Sequence, residues 1–353
     1  MKMKKINLIV TILIVVSIST SVSAEICECN SCKDCTEKLS DDLCSEVRLI
    51  NDINLLHKEE FVDEKKCIVI SESANKVFDC QENEIKFNKT LAFSMDGVTG
   101  VYIVYSRNVT IKNCGISGFV EGIAIGLTND SNIRDNAVSS NLVGISVKKF
   151  AYNNMIFNNK CFLNDIGMDV TQSSYNKISK NLIFSNGVLT DHGGGLLLKV
   201  DTNFNEIADN KIYNNIGDGI SIIGYVACIG GRGCPESKKV IGNKLINNEI
   251  TNNTYGIVSI LSELAAYSNN VCGNVKSDFN SSDWMDSRGN DNTCDNPNGW
   301  NDDGKEGCAY KCEEQKPPDN YAKPDYNFIL AIGIILITIL VSVFVIWHKK
   351  FKR

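Results

Sequence analysis

The sequence predicts an all-β solenoid, a parallel β-helix, and three observations predict it. First, a unit of about twenty-three residues recurs, reading Asn-x-Ile-x-x-Asn-x-Ile-x-x-Asn-x-x-Gly-Ile. One copy holds Ile133, Asn136, Val138, Asn141 and Gly144-Ile145, and the next Asn154, Ile156, Asn159, Cys161, Asn164 and Gly167-Met168. Later copies run through Asn176, Asn181 and Asn186, then Asn205, Asn210 and Asn215, then Asn243, Asn248 and Asn253. Second, Gly100, Gly122, Gly144 and Gly167 lie 22, 22 and 23 residues apart, which gives the length of one rung. Third, apolar and polar residues alternate in short runs such as Gly144-Ile145-Ser146-Val147, the period of strands with one face inward. A fixed period of this length marks units that bury their apolar faces only by stacking on their neighbours.

The elements follow in chain order. Lys2, Lys4 and Lys5 precede an apolar run from Ile6 to Val16 and then Val22-Ser23-Ala24, which reads as a secretory signal over residues 1–24. Residues 25–66 form a cysteine-rich N-terminal cap. The solenoid proper spans 67–274, with three short strands per rung making a triangular coil. Asn and Gly suit its corners because both tolerate left-handed backbone. An inward Asn also bonds to the Asn above and below it, so Asn136, Asn159, Asn181, Asn210 and Asn248 form a structural ladder. No proline lies between Glu25 and Cys234, as strands that each need their amide hydrogens require. Each inward Ile or Val contributes roughly 1.5–3 kcal/mol when buried, so Ile207→Asp should break the stack.

Residues 275–327 form a cysteine-containing C-terminal cap and a stalk with Pro317, Pro318 and Pro324. Residues 328–347 carry no charge for twenty positions and predict a single transmembrane helix. Residues 348–353 are basic and place that end in the cytoplasm, which also argues against a cleaved lipid-anchor signal. The expected location is therefore the cell membrane, with the bulk of the chain outside the cell and the membrane as a partner. Asn88, Asn108, Asn129, Asn252 and Asn280 head glycosylation sequons. A net charge of -6, with no basic stripe outside the tail, argues against a nucleic-acid partner.

All fifteen cysteines follow the signal, as suits an oxidising compartment. Cys27, Cys29, Cys32, Cys35 and Cys44 group at one end and Cys272, Cys294, Cys308 and Cys312 at the other. Cys67 and Cys80 bracket the first coil, and Cys228 and Cys234 close an inserted loop. The spacing from Cys27 to Cys35 also suits zinc or an iron–sulfur cluster in a reducing compartment, but export favours disulfides. Cys114 and Cys161 fall on inward positions two rungs apart. Both are expected to be buried thiols, leaving thirteen others to share six bridges with one left over.

On these residues the chain resembles archaeal surface proteins with NosD-like right-handed β-helix repeats, of the pectate-lyase-like superfamily. The resemblance covers roughly Cys67 to Asn274, with Val77-Phe78-Asp79-Cys80 similar to the opening strand of such domains. Two flanks are similar as well: Cys32 to Leu39, and the more specific Cys294-Asp295-Asn296-Pro297-Asn298-Gly299-Trp300-Asn301-Asp302-Asp303-Gly304. The resemblance implies the fold and right-handed coiling, and little about activity, because sugar hydrolases, lyases, metal-maturation proteins and adhesive proteins share it.

Three functional classes are in contention. A polysaccharide-active enzyme needs an acid and a base on one outer face. The outward positions after the glycine ladder read Tyr102, Ala124, Ser146, Asp169, Leu197, Ser221 and Val258, so only Asp169 is acidic there. Lys148 and Lys199 stand on neighbouring rungs, and Asp191-His192 in the adjoining insertion is either a hydrogen-bonded loop or a base. Asp169, Asp191 and His192 are thus weak catalytic candidates. Copper handling needs grouped Met, His or thiolate ligands, whereas His57 and His192 are far apart and Met155 and Met168 read as strand positions. The third class, a surface module that binds glycan or envelope protein or builds the envelope, draws on Phe162, Phe184 and Tyr213. These lie on consecutive rungs as an outward aromatic stripe, which binds a ligand, is covered by the loop around Val188 to Gly194, or merely stiffens the sheet. No cofactor is expected, except that Asp291 to Asp303 offers oxygens for calcium or else forms a solvated, disulfide-bonded turn.

Overall fold

The computed structural model describes residues 25–57, 60–63, 65–87, 97–187, 194–227 and 236–312. They belong to one compact unit, residues 1–311, except Cys312, which falls in a second unit, residues 312–353. The predicted signal (1–24), spanning helix (328–347) and basic tail (348–353) lie outside the described residues, as do Asn88, Asp191, His192, Cys228 and Cys234. Among the described residues no helix is long and apolar enough to cross a membrane.

Three parallel sheets, of eleven, nine and nine strands, form the walls of a β-helix. Each turn of chain contributes one strand to each wall in rotation. The rung holding Asn132–Arg134, Ala137–Ser139 and Val143–Lys148 shows the pattern. The first wall is the eleven-stranded sheet. The second carries Phe162, Phe184 and Tyr213 and is termed the aromatic sheet. The third carries the glycine ladder and is termed the glycine sheet.

Register is set by the repeat. Ile111, Ile133, Ile156, Ile178, Ile207 and Leu245 pair in line along the first wall. Ile116, Val138, Cys161, Ile183, Ile212 and Ile250 do so along the second. All are fully buried and share one continuous apolar core. Like stacks on like, so each rung repeats the packing problem its neighbour has already solved. The glycines line the inner side of the third wall. A Cβ on Gly144 would meet the Gly167 carbonyl at 2.5 Å and the Asn164 amide at 2.9 Å, so no other residue fits beneath that corner.

The asparagines form three ladders, one at each corner. In the second, Asn136, Asn159, Asn181, Asn210, Asn248, Asn269 and Asn292 follow one another. Each side-chain oxygen accepts both the backbone N–H and the Nδ2 of the Asn one rung earlier, as Asn181 does for Asn159 at 2.9 and 3.0 Å. Each Nδ2 also reaches a backbone carbonyl, as from Asn181 to Ile156 at 2.9 Å. The left-handed residue at each corner is not the ladder asparagine but the residue before it. Asp135, Asn158, Lys180, Asp209 and Asn247 hold φ from 53° to 59°. The asparagines are chosen for their amides, and the preceding residue makes the bend.

Strand pairing runs past both ends of 67–274. Glu25–Cys29 and Cys44–Leu49 already belong to the eleven-stranded sheet, and Ile53–Leu55 belongs to the aromatic one. At the far end Ser277–Asn280 and Arg288–Asn290 continue the stack. A helix, Cys32–Ser40, closes the N-terminal opening, with the Ser31 hydroxyl accepting from the Asp34 N–H as its N-cap. It turns Cys32, Cys35 and Leu39 inward. Cys27–Cys44, Cys29–Cys35 and Cys32–Cys67 fasten this cap, and Cys294–Cys308 fastens the other. Cys272 and Cys312 are also disulfide-bonded.

The expectation of two buried thiols is corrected at Cys114, which bonds Cys80. Cys80 lies one rung earlier, and the rung spacing brings their Cα atoms to 4.8 Å. With Cys114 in a bridge, the odd cysteine left over in the sequence count disappears. Cys161 is a buried free thiol, and burial pushes its pKa up.

Candidate functional site

The outer face of the glycine sheet holds Asp169, the outward acid that the sequence singles out. Its strands are six residues long through most of the stack, against three in the aromatic sheet. Tyr102, Ala124, Ser146, Asp169, Leu197, Ser221 and Val258 pair in one row, one per rung. Asp169 accepts from Lys199 Nζ at 2.9 Å through one oxygen and from Thr171 Oγ1 at 2.8 Å through the other. Lys148, the other cation expected beside Asp169, instead pairs with Glu121 at 2.5 Å.

Two carboxylates on the outer face of this sheet escaped the sequence reading, Glu121 and Asp218. Each immediately precedes a ladder glycine, Gly122 and Gly219, so the signal lay one residue upstream of the motif. Asp218 accepts from Ser221 Oγ at 2.6 Å. Burial raises its pKa, against the opposing pull of Ser221 and of Lys276, whose Nζ lies 5.1 Å from the Tyr255 ring centroid. Lys66 stands in the same relation to Tyr102 at 5.1 Å. The face therefore sets three groups of fixed polar side chains, at Glu121–Lys148, Asp169–Lys199 and Asp218–Ser221, among apolar Ala124, Leu197 and Val258, with an aromatic ring toward each end. Asp169 and Asp218 are separated by two rungs and by three positions along the strand, roughly 10 Å in each direction. That exceeds the about 5–9.5 Å at which paired carboxylates flank a glycosidic bond.

Phe162, Phe184 and Tyr213 form a stack with centroids 5.2 and 5.3 Å apart and planes within 7°. Both faces of Phe184 are turned to its neighbours, so the row presents ring edges, not faces, along its length. Of the sequons, Asn108 and Asn252 are exposed, Asn129 accepts from the Tyr152 N–H, and Asn280 accepts from Asn298.

The Asp291–Asp303 stretch is organised around Asp302. Its carboxylate is buried and accepts from Asn292 N–H and Nδ2, the Trp300 indole N–H and the Ala309 N–H. Asp278 does likewise for Asn274, Asp295 and Asn296. Among the described residues no three His, Cys, Asp or Glu side chains are grouped to hold a metal ion. Two hollows, about 740 and about 510 Å³, lie beside Ile26 and Leu43 at the N-terminal end and beside Glu82, Glu84 and Asp135 at a corner. Neither adjoins Asp169.

Residues 57–227, just under half of the chain, match the family described as periplasmic copper-binding protein (NosD). The Dettilon tailspike protein has the same fold at a TM-score of 0.54 and 13% identity, over 72% of this chain and 53% of its own. Two variants of the periplasmic alginate epimerase AlgG follow at 0.51 and 0.50, each 16% identical, over 72% and 71% of this chain and 74% and 73% of theirs. Over residues 57–227 the solenoid is similar to the NosD family. The chain spans about half the length of the tailspike, and at these identities the likeness establishes fold alone. No curated protein matches it.

A copper site does not fit the described part of this NosD-like solenoid. Met168 is buried in the core while Met155 is exposed on another wall, and Cys161 is the free cysteine among the described residues. His57 is the sole described histidine. Soft donors grouped at one site, which copper requires, are missing there.

Proposed function

We propose that this chain is an exported, membrane-anchored β-helix that holds an extended polysaccharide on the outer face of the glycine sheet without turning it over. The observation that carries the reading is the row of oriented polar groups on that face: Glu121–Lys148, Asp169 with Lys199 and Thr171, and Asp218–Ser221. Sugar hydroxyls are recognised by side chains fixed in advance by their neighbours, so that little ordering cost falls on binding. A rigid flat wall suits an extended polymer. The secretory signal and the disulfide-fastened caps support an extracellular body, and the uncharged run at 328–347 followed by basic residues supports the anchor.

A second reading, a polysaccharide-active enzyme, draws on Asp218. A partly buried carboxyl with a raised pKa is what a general acid requires. A glycan array on the purified chain, with parallel assays for new reducing ends and for unsaturated sugar, separates the two. Binding without product, weakened about tenfold or more by Asp169→Ala, is the expected result. Product formation abolished by Asp218→Asn selects the enzyme, and no binding to any glycan removes both.

A further inference from the structure

The corner leading into the eleven-stranded sheet contains a row that the wall face does not explain. One residue before the first Asn ladder, consecutive rungs carry Asn75, Asn108, Asp130, Asn153, Tyr175, Phe204 and Gly242, all left-handed with φ from 53° to 70°. Backbone hydrogen bonds pass to the next rung from Asn75, Asn108, Asp130, Tyr175 and Phe204, as from the Tyr175 N–H to the Asn203 carbonyl and from the Phe204 N–H to the Ile241 carbonyl. Five of the seven are Asn, Asp or Gly, the types that adopt this conformation at least cost. Tyr175 and Phe204 crowd a Cβ against the following carbonyl there. They recover little by burial, since they are 58% and 47% exposed.

The two rings stack at 5.4 Å and 14°. On its far side Phe204 lies over Gly242, where a Cβ would come within 2.4 Å of the ring. The Phe204 faces are thus used, while the opposite face of Tyr175 points along the row toward Asn153. Beyond Asn153 comes Asp130, paired with Arg107 at 3.0 Å, and then Asn108, whose Nδ2 donates to Asn75 at 2.7 Å.

From this we propose that Tyr175 is the platform of a glycan site, taking the apolar face of one pyranose ring, with the row from Asn153 to Asn75 meeting the hydroxyls of the sugars that follow. Asn153, one rung of about 4.8 Å away, carries a side chain shorter than the Tyr175 ring, so a sugar can lie against that ring in the layer outside Asn153. Aromatic faces bordered by amides and a carboxylate–guanidinium pair are the chemistry that recognises neutral sugars. The proposal rests on the reading that this surface binds glycan, and adds a site on a different face. The ring has two sources, a glycan from outside or the chain's own N-glycan at Asn108, three rungs from Tyr175.

The test is a printed array of pyranose oligosaccharides probed with the full chain and with Tyr175→Asn, Asp169→Ala and Thr110→Val, the last removing the Asn108 sequon. Tyr175→Asn should lower binding about tenfold or more while Tm holds or rises, because strain is relieved at an exposed site. If binding persists, or Tm falls with binding unchanged, the pair is a stiffening stack and the proposal is wrong. Loss in Asp169→Ala but not in Tyr175→Asn keeps the glycine-sheet reading and removes this one; the reverse keeps this one alone. If the chain's own glycan fills the platform, Thr110→Val raises array binding and Tyr175→Asn in that background abolishes it again. Absence of binding in both backgrounds overturns the platform.

Discussion

An asparagine inside this solenoid is a two-sided connector. Asn181 accepts from Asn159 through its oxygen, donates to Asn210 and donates to the Ile156 carbonyl, with almost no exposure to water. Asn181→Ala removes all of these and leaves the Asn159 N–H and Nδ2 facing a void. Each buried orphan costs about 1–3 kcal/mol, so we expect a loss of at least about 2 kcal/mol in urea unfolding. A loss below the scatter of surface substitutions would show that water replaces the amide. At Asp218 the prediction concerns pH. Its folded pKa lies above the unfolded one, so the folded state holds more protons between the two. Stability is therefore greatest below the unfolded value and falls as pH rises through the folded value. Asp218→Asn should raise Tm relative to the parent more at about pH 8 than at about pH 4. Equal gaps at both would place the Asp218 titration in the unfolded range.

The element that recurs at each corner is a left-handed residue followed by a ladder asparagine, and the structure separates their roles. Before the third ladder the left-handed row reads Ser140, Leu163, Ser185, Asn214, Asn252 and Gly273. Leu163 is the outlier, with φ 55° and a largely exposed side chain between Phe162 and Asn164. Leu163→Asn copies what neighbouring rungs already use and should stabilise the chain by about 1 kcal/mol, read as a higher urea midpoint at unchanged slope. Destabilisation would mean that Leu163 makes apolar contacts worth more than its strain. The sequence announces the ladder residues because Asn recurs at a fixed period. It hides the left-handed position, because a backbone bend tolerates Asp, Lys, Ser or Leu and so leaves no residue signature. Tyr175 and Phe204 are invisible for the same reason until the register is known.

At the scale of the whole molecule, the period, the three strands per rung and the outward row through Asp169 were legible because each rung repeats one pattern. The ends were not, because a cap solves its problem once. The Cys80–Cys114 bridge, the Cys32–Ser40 helix and the role of Asp302 have no second copy to expose them. Yet the ladders themselves dictate what must stand at the C-terminal end. Every amide donates forward and accepts from behind, so the second ladder is polarised along its length, with the donors of Asn292 left over at the last step. The terminating group must accept without offering donors to a rung that does not exist, and aspartate meets that condition where asparagine does not. Asp302 accepts four such donors, and Asp278 ends the third ladder in the same way. Asp302→Asn keeps size and shape but turns an amide N–H₂ toward groups that also donate. It should cost about 2–4 kcal/mol, far more than the same swap at an exposed site. The reverse swap at an inner rung, Asn210→Asp, should also destabilise, because it sets a carboxylate against the Asn248 oxygen. Urea unfolding of both variants checks the argument: if either swap is neutral, the ladder has no direction and the two aspartates are not its terminators.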